Sequence, residues 1–584
     1  MTINSVFRKI SYRDAVVSLA LWAGPLVFLA LFYFYPLVSI LGESLNRSQT
    51  GWATPFIEVF TSSRLRNVLW FTFWQAGLST ALTLLVGIPG AFLLARYDFR
   101  GKSLLMALTG IPFVMPTLVV AAAFNTLLGS GGWVNRILIE IFDLPAPPIQ
   151  FTGTLAAILI AHVFYNTTIV LRLVGDFWSH IDPRLEQASR TLGATPFQAL
   201  RRITLPLLAP SIAAAALLIY LFDFTSFGVI LILGGPRYAT METEVYYQTT
   251  GLFNLPLAAV LSLIQLGCTL AMTVMYTRLM ARLSRPLTLR PRSYTQGRLI
   301  SWHSRLLAWA MIAFLLLFLT LPLISLAISS FTTQEARAGQ TGGSKSSFTL
   351  AFYKELGINR RSSIFYAPPT TAIGISLLYA STTVLVSLAL GVPASWALAR
   401  EVQPDKSGNS IANRFFDPLL MLPLGTSAVT LGLGFIVALD HPPFDLRASP
   451  FLVPLAHTLV AFPFVVRSLA PALRSIRPRL RQAARVMGAS PSQVFTNIDL
   501  PLTGRAVLVA AVFAFTISLG ELGATVLIAR PEYPTVPLAI YRYISQPGAI
   551  NYGQALALST ILMCVCAAGM LAIERFRIAQ VGEF

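Results

Sequence analysis

Charged residues are scarce in this sequence of 584 residues. Only 11% of them are Asp, Glu, Lys or Arg, while 55% are hydrophobic, and a soluble globular chain has about 25% charged residues. A soluble protein of this length would need a much larger polar surface. The composition therefore excludes a soluble protein and indicates an integral membrane protein.

Cysteine and nucleotide-binding patterns are also lacking. Cys268, Cys564 and Cys566 are the three cysteines, and all fall in long apolar runs, which suggests neither a disulfide framework nor a zinc site. The nearest approach to a phosphate-binding loop, GGSKSS from Gly342, lacks the Gly-Lys-Ser/Thr order. We therefore expect no catalytic residues, no metal site and no cofactor in this chain.

Long apolar runs are abundant. Crossing a bilayer takes about 20 residues, and such runs must be helices because lipid cannot satisfy a free backbone group. Twelve runs are long enough: Val16–Leu41, Val68–Ala95, Leu104–Leu128, Leu155–Val174, Ile212–Leu233, Leu257–Met280, Leu306–Ser329, Ile373–Leu398, Pro418–Ala438, Phe451–Leu473, Ala506–Ala529 and Ala555–Ala572. The sequence predicts an all-α integral membrane fold with about 12 transmembrane helices.

Basic residues give the chain a formal net charge of +19. The segment 282–305 carries six arginines and no acid. Twelve spans place it on the same side as the basic N-terminus, and the positive-inside rule puts that side in the cytoplasm. We expect both termini to be cytoplasmic. Topology and lipid head groups account for the charge, so no nucleic-acid partner is expected.

The chain contains an internal repeat. RLEQASRTLGATPFQALRRITLPLLAP begins at Arg184 and RLRQAARVMGASPSQVFTNIDLPLTGR at Arg479, so the copies are 295 residues apart (479 minus 184). Earlier in each half, GIPGAFLLAR from Gly87 pairs with GVPASWALAR from Gly391, which lies 304 residues on (391 minus 87). Each half has six spans, and an even number gives both halves one orientation. We predict two repeats, 1–281 and 306–584, and a basic cytoplasmic linker, 282–305.

The pattern of each copy of the repeated segment predicts two short helices with a sharp turn between them. Thr195 followed by Pro196, and Ser490 followed by Pro491, are typical of an N-cap and a first helical residue. Short isolated helices are marginal in water and need a surface to lie against. The pattern therefore indicates a docking element on the cytoplasmic face.

The two segments resemble the cytoplasmic loop of binding-protein-dependent ABC importer permeases, whose pattern is E-A-A, three residues, G, nine residues, I-x-L-P. Gln replaces the leading Glu in both halves, which puts in doubt any salt bridge of that acid. The positions that carry the match are Gln187, Ala188, Gly193, Ile203 and Pro206, and then Gln482, Ala483, Gly488, Ile498 and Pro501.

The resemblance implies the type I importer fold, with two six-helix permease repeats fused in one chain in a prokaryotic cytoplasmic membrane. It implies that the two loops couple to two copies of a separate ABC ATPase subunit, which would hold ATP and Mg. It also implies an extracytoplasmic substrate-binding protein, for which the outer loop Ser330–Pro369 is a candidate contact. The alternative is a twelve-helix secondary transporter of the major facilitator type, which would have no use for the repeated loop.

Ionisable residues inside spans are the candidates for a substrate pathway, because such residues usually face a cavity. Asp223 and Glu521 lie in the fifth span of each half, and the repeat pairs them with Ser518 and Ser226 respectively. Two facing acids near the pseudo-two-fold axis would favour a cation. The alternative is that each acid pairs with a neighbouring helix.

Other polar residues within the spans have structural interpretations. His162 and His457 are equivalent by the repeat, and we expect them to form hydrogen bonds between helices. Arg172 and Arg467, near the cytoplasmic ends of the same spans, read as snorkelling anchors. Prolines at 112, 116 and 423 interrupt the third span of each half.

Fused permeases of this kind resemble those for thiamine and for ferric iron. FTFWQAGLSTAL from Phe71, LIAHVFYN from Leu159 and SFGVILILGG from Ser226 are similar to the thiamine group, while SLGELGATVL from Ser518 is similar to the iron group. Both substrates are cationic, so the acid pair does not separate them. Another small solute, such as a phosphonate or a polyamine, is a further alternative.

Overall fold

The computed structural model of the chain describes residues 12–46, 54–235, 237–283, 296–297, 301–334, 346–358, 368–400, 411–440 and 445–578. Within these ranges, 11 helices are long and apolar enough to cross a membrane, or up to 12 if a helix pair bent by 96° is counted as one span. The predicted all-α membrane fold with about 12 spans is confirmed.

The described part of the first half consists mainly of α-helices. They are α1 (Tyr12–Leu29), α2 (Tyr35–Asn46), α3 (Thr54–Thr61), α4 (Ser63–Arg96), α5 (Lys102–Val114), α6 (Thr117–Leu128), α7 (Trp133–Phe142), α8 (Leu155–Ile169), α9 (Gly175–Ser179), α10 (Arg184–Thr191), α11 (Pro196–Ala199), α12 (Leu205–Phe224), α13 (Met241–Thr250) and α14 (Leu255–Leu283). Five-residue π-helical turns lie at Ala30–Phe34, Val170–Val174, Leu200–Thr204 and Ile230–Gly234.

The second half begins with α15 (Trp302–Ser329) and a short antiparallel hairpin of β1 (Thr332–Gln334) and β2 (Ser346–Phe348). The helices that follow are α16 (Ala351–Glu355), α17 (Pro369–Arg400), α18 (Ile411–Met421), α19 (Ala428–Ala438), α20 (Leu452–Ser475), α21 (Pro478–Val486), α22 (Pro491–Val494), α23 (Leu500–Gly520), α24 (Thr525–Ile528), α25 (Val536–Ile544) and α26 (Ala549–Ile578). A 3-10 turn at Leu422–Gly425 precedes α19, and a π-helical turn at Phe495–Asp499 joins α22 to α23.

The repeat seen in the sequence recurs as a repeated helix contact. A Cβ built on Gly87 of α4 would lie 2.6 Å from the Cβ of Val170, and a Cβ on Gly391 of α17 would lie 2.5 Å from Cγ1 of Val465. Both distances are too short for any side chain, so only glycine allows this approach. Small residues are typical of such close helix contacts in membranes. The second and fourth spans therefore pack in the same way in both halves.

The two halves are interlocked through their first spans. α1 packs on α17 and α2 on α19, while α15 packs on α5 and α6 of the first half. Two buried pairs of hydroxyl groups cross the same boundary, Tyr33 with Thr426 at 2.7 Å and Thr126 with Ser325 at 3.0 Å. Each first span therefore covers the opposite half.

The fifth spans are broken where the sequence predicted continuous apolar runs, and the third span of the first half is broken beside the prolines that the sequence analysis singled out. The fifth spans were predicted to continue to Leu233 and Ala529, but α12 ends at Phe224 and α23 at Gly520. Small and polar residues follow both ends, and these favour a break over further helix. In the third span, α5 ends before Pro116, which lacks an amide donor and forces the preceding residue into an extended conformation.

Parts of the predicted linker and outer loop lie outside the described residues. α14 extends to Leu283 and α15 begins at Trp302, so the linker 282–305 overlaps both helices. Gly297 forms backbone hydrogen bonds with Arg96 and Asp98 after α4. Residues 284–295 and 298–300 of the linker, and 335–345 and 359–367 of the outer loop, are not described, and the division of the chain at 282–305 stays a prediction.

Candidate translocation pathway and coupling segments

A cavity of approximately 370 Å³ lies between the two halves. Its walls come from equivalent parts of each half, namely the break in the third span, the middle of the fourth span and the break that follows the fifth. Pockets for small ligands commonly measure about 300–1,000 Å³. The cavity is therefore large enough for a small organic molecule.

Three carboxylates line this cavity, those of Asp223, Glu242 and Glu521. All three side chains are buried, with residue exposures of 1%, 2% and 8%. No lysine or arginine is among the described residues that line the cavity. The acidic groups on its wall therefore favour a cation over an anion.

Aromatic side chains form much of the remaining wall. They are Phe113, Tyr165, Phe222, Phe227, Phe464 and Phe513. The faces of such rings attract cations and pack well against flat apolar rings. The cavity therefore combines acidic groups with surfaces suited to a planar organic cation.

Asp223 belongs to a hydrogen-bonded group centred on His162. Nδ1 of His162 lies 3.4 Å from Oδ1 of Asp223 and 3.0 Å from the hydroxyl of Ser79. The amide of Asn166 donates to the same Oδ1 at 2.7 Å, and Nε2 of His162 lies 2.8 Å from the hydroxyl of Ser226. α8 thereby holds the end of α12 in place.

His457 forms the equivalent group in the second half. Its Nδ1 lies 2.7 Å from the hydroxyl of Ser518, which in turn donates to Thr383 at 3.2 Å. Its Nε2 lies 2.8 Å from the hydroxyl of Thr525 and 3.3 Å from Oε2 of Glu521. Both histidines therefore form the interhelical hydrogen bonds that the sequence predicted.

Glu521 accepts hydrogen bonds from residues at the start of the short helix that follows the break. Its Oε1 accepts the backbone amide of Ala524 at 2.9 Å, and its Oε2 accepts the amide and the hydroxyl of Thr525 at 3.1 and 2.7 Å. These bonds satisfy backbone amides at the start of α24 that have no partner within the helix. Both carboxylate oxygens of Glu521 are thus occupied within the second half.

The four predicted pathway residues are only partly brought together. Asp223, Ser226 and Glu521 line the same cavity, whereas Ser518 is buried beside His457 and Thr383 and is not part of the wall. Each acid is hydrogen-bonded within its own half, as the alternative interpretation expected. Contact of these residues with a substrate stays a prediction.

The repeated segment has the helix-turn-helix form that the sequence predicted. Gly193 follows α10 with a φ of +91°, and Gly488 follows α21 with a φ of +86°. Only glycine adopts this left-handed conformation without strain. No atom lies within 4 Å of a Cβ built at either position, so the requirement for glycine comes from the backbone alone.

Reciprocal caps begin the second short helix of each segment. The amide of Gln198 donates to the hydroxyl of Thr195 at 3.2 Å, and the amide of Thr195 donates to the side chain of Gln198 at 3.0 Å. Ser490 and Gln493 form the same pair of bonds at 3.3 and 2.8 Å. This capping box fixes where each helix starts.

The surface of both segments is exposed and partly apolar. Gln187, Ala188 and Pro206 are exposed, as are Gln482, Ala483 and Pro501, while Ile203 and Ile498 are half-buried. Leu192 and Met487 occupy equivalent positions, and each is 89% exposed. Large apolar side chains that protrude beside a turn are typical of a protein contact.

Each segment is continuous with the span that leads to the cavity. One helix runs from Pro196 to Phe224 and its counterpart from Ser492 to Gly520, 29 residues each. Asp223 lies at the far end of the first helix, and Glu521 directly follows the second. A single helix therefore connects each turn to the cavity wall.

Comparison with known proteins identifies the family. Residues 87–285 and 362–579 each match the binding-protein-dependent transport system inner membrane component family, and together they cover more than half of the chain. The chain belongs to this family. It is the permease subunit of an ABC importer, with both permease units fused, so the resemblance of the cytoplasmic loops is confirmed and the major facilitator alternative is wrong.

Several relatives of this permease are similar over most of their length. The thiamine transport system permease protein ThiP of Salmonella typhimurium is 26% identical over 552 residues, covering 92% of this chain and 93% of its own. ThiP of Brucella abortus is 28% identical over 88% of both chains, and the probable ABC transporter permease protein y4fN of Sinorhizobium fredii is 25% identical over 96% and 97%. A solved bacterial ABC transporter involved in alginate import has a chain that aligns over 47% of this one and 97% of its own, at 19% identity and a TM-score of 0.38.

The two repeated segments of the permease are anchored by ion pairs of opposite polarity. In the first half, the carboxylate of Glu186 accepts from Arg96 at the end of α4 and from the hydroxyl of Thr204. In the second half, Arg481 occupies the position of Glu186 and donates to Asp499, which occupies that of Thr204, at 2.7 Å. The same two positions are therefore joined in both halves. The acid is at the first position in the first half and at the second position in the second half.

Arginines of the fourth spans join the two halves of the permease. Arg172 donates to Glu574 of α26 at 3.0 Å, and Arg467 contacts Tyr276 of α14, with 3.2 Å to its hydroxyl and 5.1 Å from the guanidinium to the ring centre. Each arginine therefore binds the sixth span of the opposite half. The prediction that they act as snorkelling anchors is wrong, because pairing across the halves satisfies them.

Glu242 is a cavity residue that the sequence does not single out. It lies in the first turn of α13 and accepts a hydrogen bond from Gln265 at 2.9 Å. Thr240 and Thr535, which the repeat pairs, each precede a short helix after the broken fifth span. The sequence offers one signal for Glu242, which is an acid directly after such a threonine. Glu242 was not singled out because it lies outside the predicted spans.

Proposed function

We propose that this permease carries thiamine into the cell through the cavity between its halves. The observation that carries the proposal is the cavity wall, with three buried carboxylates, six aromatic side chains and no lysine or arginine among its described residues. Thiamine has a permanently cationic thiazolium ring and a flat pyrimidine ring. The carboxylates suit its charge, and the aromatic faces suit both rings.

The relatives support the same substrate independently of the cavity. Those named as thiamine transport permeases are 25–28% identical to this chain and cover about nine-tenths of it. The similarity runs across both halves, including the stretches that form the cavity. Two separate lines of support therefore favour thiamine.

The alternatives suit the cavity less well. Ferric iron prefers several oxygen ligands converging on one point, and the described residues contain no group of three or more His, Cys, Asp or Glu side chains placed to hold a metal ion. A phosphonate is an anion and would be repelled by the carboxylates. A polyamine is a cation, but it has no ring to stack on the phenylalanines.

The transport cycle requires partners outside this chain. We propose that two copies of an ABC ATPase subunit dock on the segments 187–206 and 482–501, and that ATP and Mg bind to those subunits. Exposed Leu192 and Met487 would enter a cleft on each copy. Closure of the two ATPase subunits would move the helices Pro196–Phe224 and Ser492–Gly520 and so alternate the access of the cavity.

A binding protein would deliver the substrate on the opposite side of the membrane. The family description names a binding-protein-dependent system, and the outer loop Ser330–Pro369 is the contact we propose. The membrane would be the prokaryotic cytoplasmic membrane. The coupling segments and both termini would then face the cytoplasm, in agreement with the basic residues near the N-terminus and in segment 282–305.

The test is uptake of labelled thiamine, and separately of labelled ferric iron, by cells with and without this gene, each with an excess of the other substrate. Thiamine uptake should be lost with the gene and should not respond to iron. Loss of iron uptake with unchanged thiamine uptake would replace thiamine with iron. Loss of neither would contradict both assignments.

A further inference from the structure

We infer that Oδ2 of Asp223 accepts a hydrogen bond from the amino group on the pyrimidine ring of the substrate, whereas Glu521 positions the cavity wall and does not bind substrate. This assignment rests on the proposed function. It makes the two halves unequal, with the polar end of the substrate held by the first half.

The two oxygens of the Asp223 carboxylate have different surroundings. Oδ1 accepts from Asn166 at 2.7 Å and lies 3.4 Å from Nδ1 of His162. Oδ2 is buried and accepts no hydrogen bond from any described residue, although the side chain forms part of the cavity wall. Buried polar atoms in proteins nearly always have a partner, and an unpaired carboxylate oxygen is costly. A hydrogen-bond donor on a molecule in the cavity would remove that cost.

Tyr165 supplies a second polar atom on the same wall. Its hydroxyl is buried and has no partner among the described residues, and its ring lines the cavity. Tyr165 precedes Asn166 on α8, and Asn166 is itself bonded to Asp223. An acceptor at Asp223 and a donor at Tyr165 are the two kinds of group that an aminopyrimidine edge requires, because on that edge an amino group lies beside a ring nitrogen that accepts.

Glu521, the acid of the second half, has no carboxylate oxygen without a hydrogen-bond partner. Oε1 of Glu521 is bonded to the amide of Ala524, and Oε2 accepts from the amide and the hydroxyl of Thr525. Oε2 also lies 3.3 Å from His457. A substrate donor would have to displace bonds that hold α24 in place. Of the two acids of the fifth spans, Asp223 is therefore the one available for recognition.

The experiment compares thiamine with its analogue in which a ring carbonyl replaces the amino group. Uptake of both is measured in cells whose only copy of this gene is wild type, Asp223→Asn, Tyr165→Phe or Ser518→Ala. The same binding protein delivers the substrate in every strain. Any change in the ratio of thiamine uptake to analogue uptake therefore originates in the permease.

Wild type should prefer thiamine, and Asp223→Asn should lower the ratio about tenfold or more, as expected for loss of a hydrogen bond to a charged group. Asn166 donates to Oδ1, so the new amide would place its nitrogen at the Oδ2 position, where it can donate to the carbonyl of the analogue. Tyr165→Phe should lower the ratio severalfold. Ser518→Ala, at the equivalent position of the second half but outside the cavity wall, should leave it unchanged.

An unchanged ratio in Asp223→Asn would overturn the inference while leaving the proposed function intact, provided that wild-type cells take up thiamine. Absence of thiamine uptake in wild type would contradict both the inference and the proposed function. If Asp223→Asn fails to reach the membrane, the Tyr165→Phe strain decides, because an unchanged ratio there contradicts recognition of the aminopyrimidine edge by this wall.

Discussion

His162 approaches Asp223 through Nδ1, which lies 3.4 Å from Oδ1 of the carboxylate. Its counterpart His457 instead approaches the acid of the second half through Nε2, 3.3 Å from Glu521. In both halves a serine occupies the other side of the imidazole ring, at 2.7–2.8 Å. The acids of the two fifth spans, Asp223 and Glu521, thus have chemically different surroundings on the wall of one cavity.

Neutralising both acids tests whether the charge of the cavity serves transport. We predict that Asp223→Asn combined with Glu521→Gln lowers thiamine uptake about tenfold or more, because bonds to charged groups contribute about 1.5–3 kcal/mol. Both changes preserve side-chain volume, but Gln at 521 cannot accept all the bonds from Ala524 and Thr525, so uptake is expressed per amount of permease in the membrane, measured by immunoblot. Uptake at the wild-type rate would show that the carboxylates are structural only.

The sequence predicts the parts of this fold that depend on local chemistry. Apolar length indicates the spans, and the turn at Gly193 follows from a glycine flanked by helix formers and by the cap at Thr195. The repeat supplies the same features at Gly488. The predicted boundaries of the fifth spans are wrong because an apolar run such as Ala506–Ala529 continues through the break at Glu521.

Pairings between distant helices could not be predicted in the same way. The sequence shows that His162 and Asp223 are polar residues in apolar runs, but it does not show which helices face each other. Arg172 reads as a lipid anchor until Glu574, 402 residues later, is brought beside it. The same limit applies to Glu242, which reaches the cavity through a short helix outside the predicted spans.

Replacing the coupling glycines tests the docking turn. Gly193→Ala or Gly488→Ala forces a side chain into the left-handed region at a local cost of about 1–2 kcal/mol, and the structure leaves room for the added methyl group. We predict reduced stimulation of ATP hydrolysis by substrate-loaded binding protein, and none at all for Gly193→Pro or Gly488→Pro, because proline fixes φ near −65°.

Gly504→Ala is the matched control for these glycines. Gly504 lies within α23, and a Cβ there would also meet no atom within 4 Å. Alanine is favoured over glycine in a helix, so stimulation should be normal. Normal stimulation in the Gly193 and Gly488 variants as well would remove the docking role from these turns.

The reversed charges of the two segments can be tested by replacing the pair Arg481 and Asp499 with the residues found at the same positions of the first half, Glu and Thr. Arg481→Glu places a carboxylate beside buried Asp499, and we predict a lower melting temperature for the purified permease. Adding Asp499→Thr reproduces the pair formed by Glu186 and Thr204, so the double variant should be more stable than Arg481→Glu alone. A double variant that is no more stable would show that the two anchors are not equivalent.

The ion pair between Arg172 and Glu574 should contribute to holding the halves together. Replacing either residue with Met leaves a largely buried charge without its partner, which is strongly destabilising. In a double-mutant cycle we predict a coupling free energy of roughly 1 kcal/mol or more. The exposed pair Arg530 and Glu532 is the control and should give a coupling near zero. Equal coupling free energies in both cycles would contradict a role of this ion pair in holding the halves together.

Transport by the reconstituted complex tests the central claim most directly. The permease and its ATPase partner are placed in liposomes with ATP inside and the binding protein with labelled thiamine outside. We predict that thiamine accumulates against its gradient only when ATP and binding protein are both present, and that Asp223→Asn slows the accumulation. An active complex that hydrolyses ATP in response to the loaded binding protein but accumulates no thiamine would contradict the account.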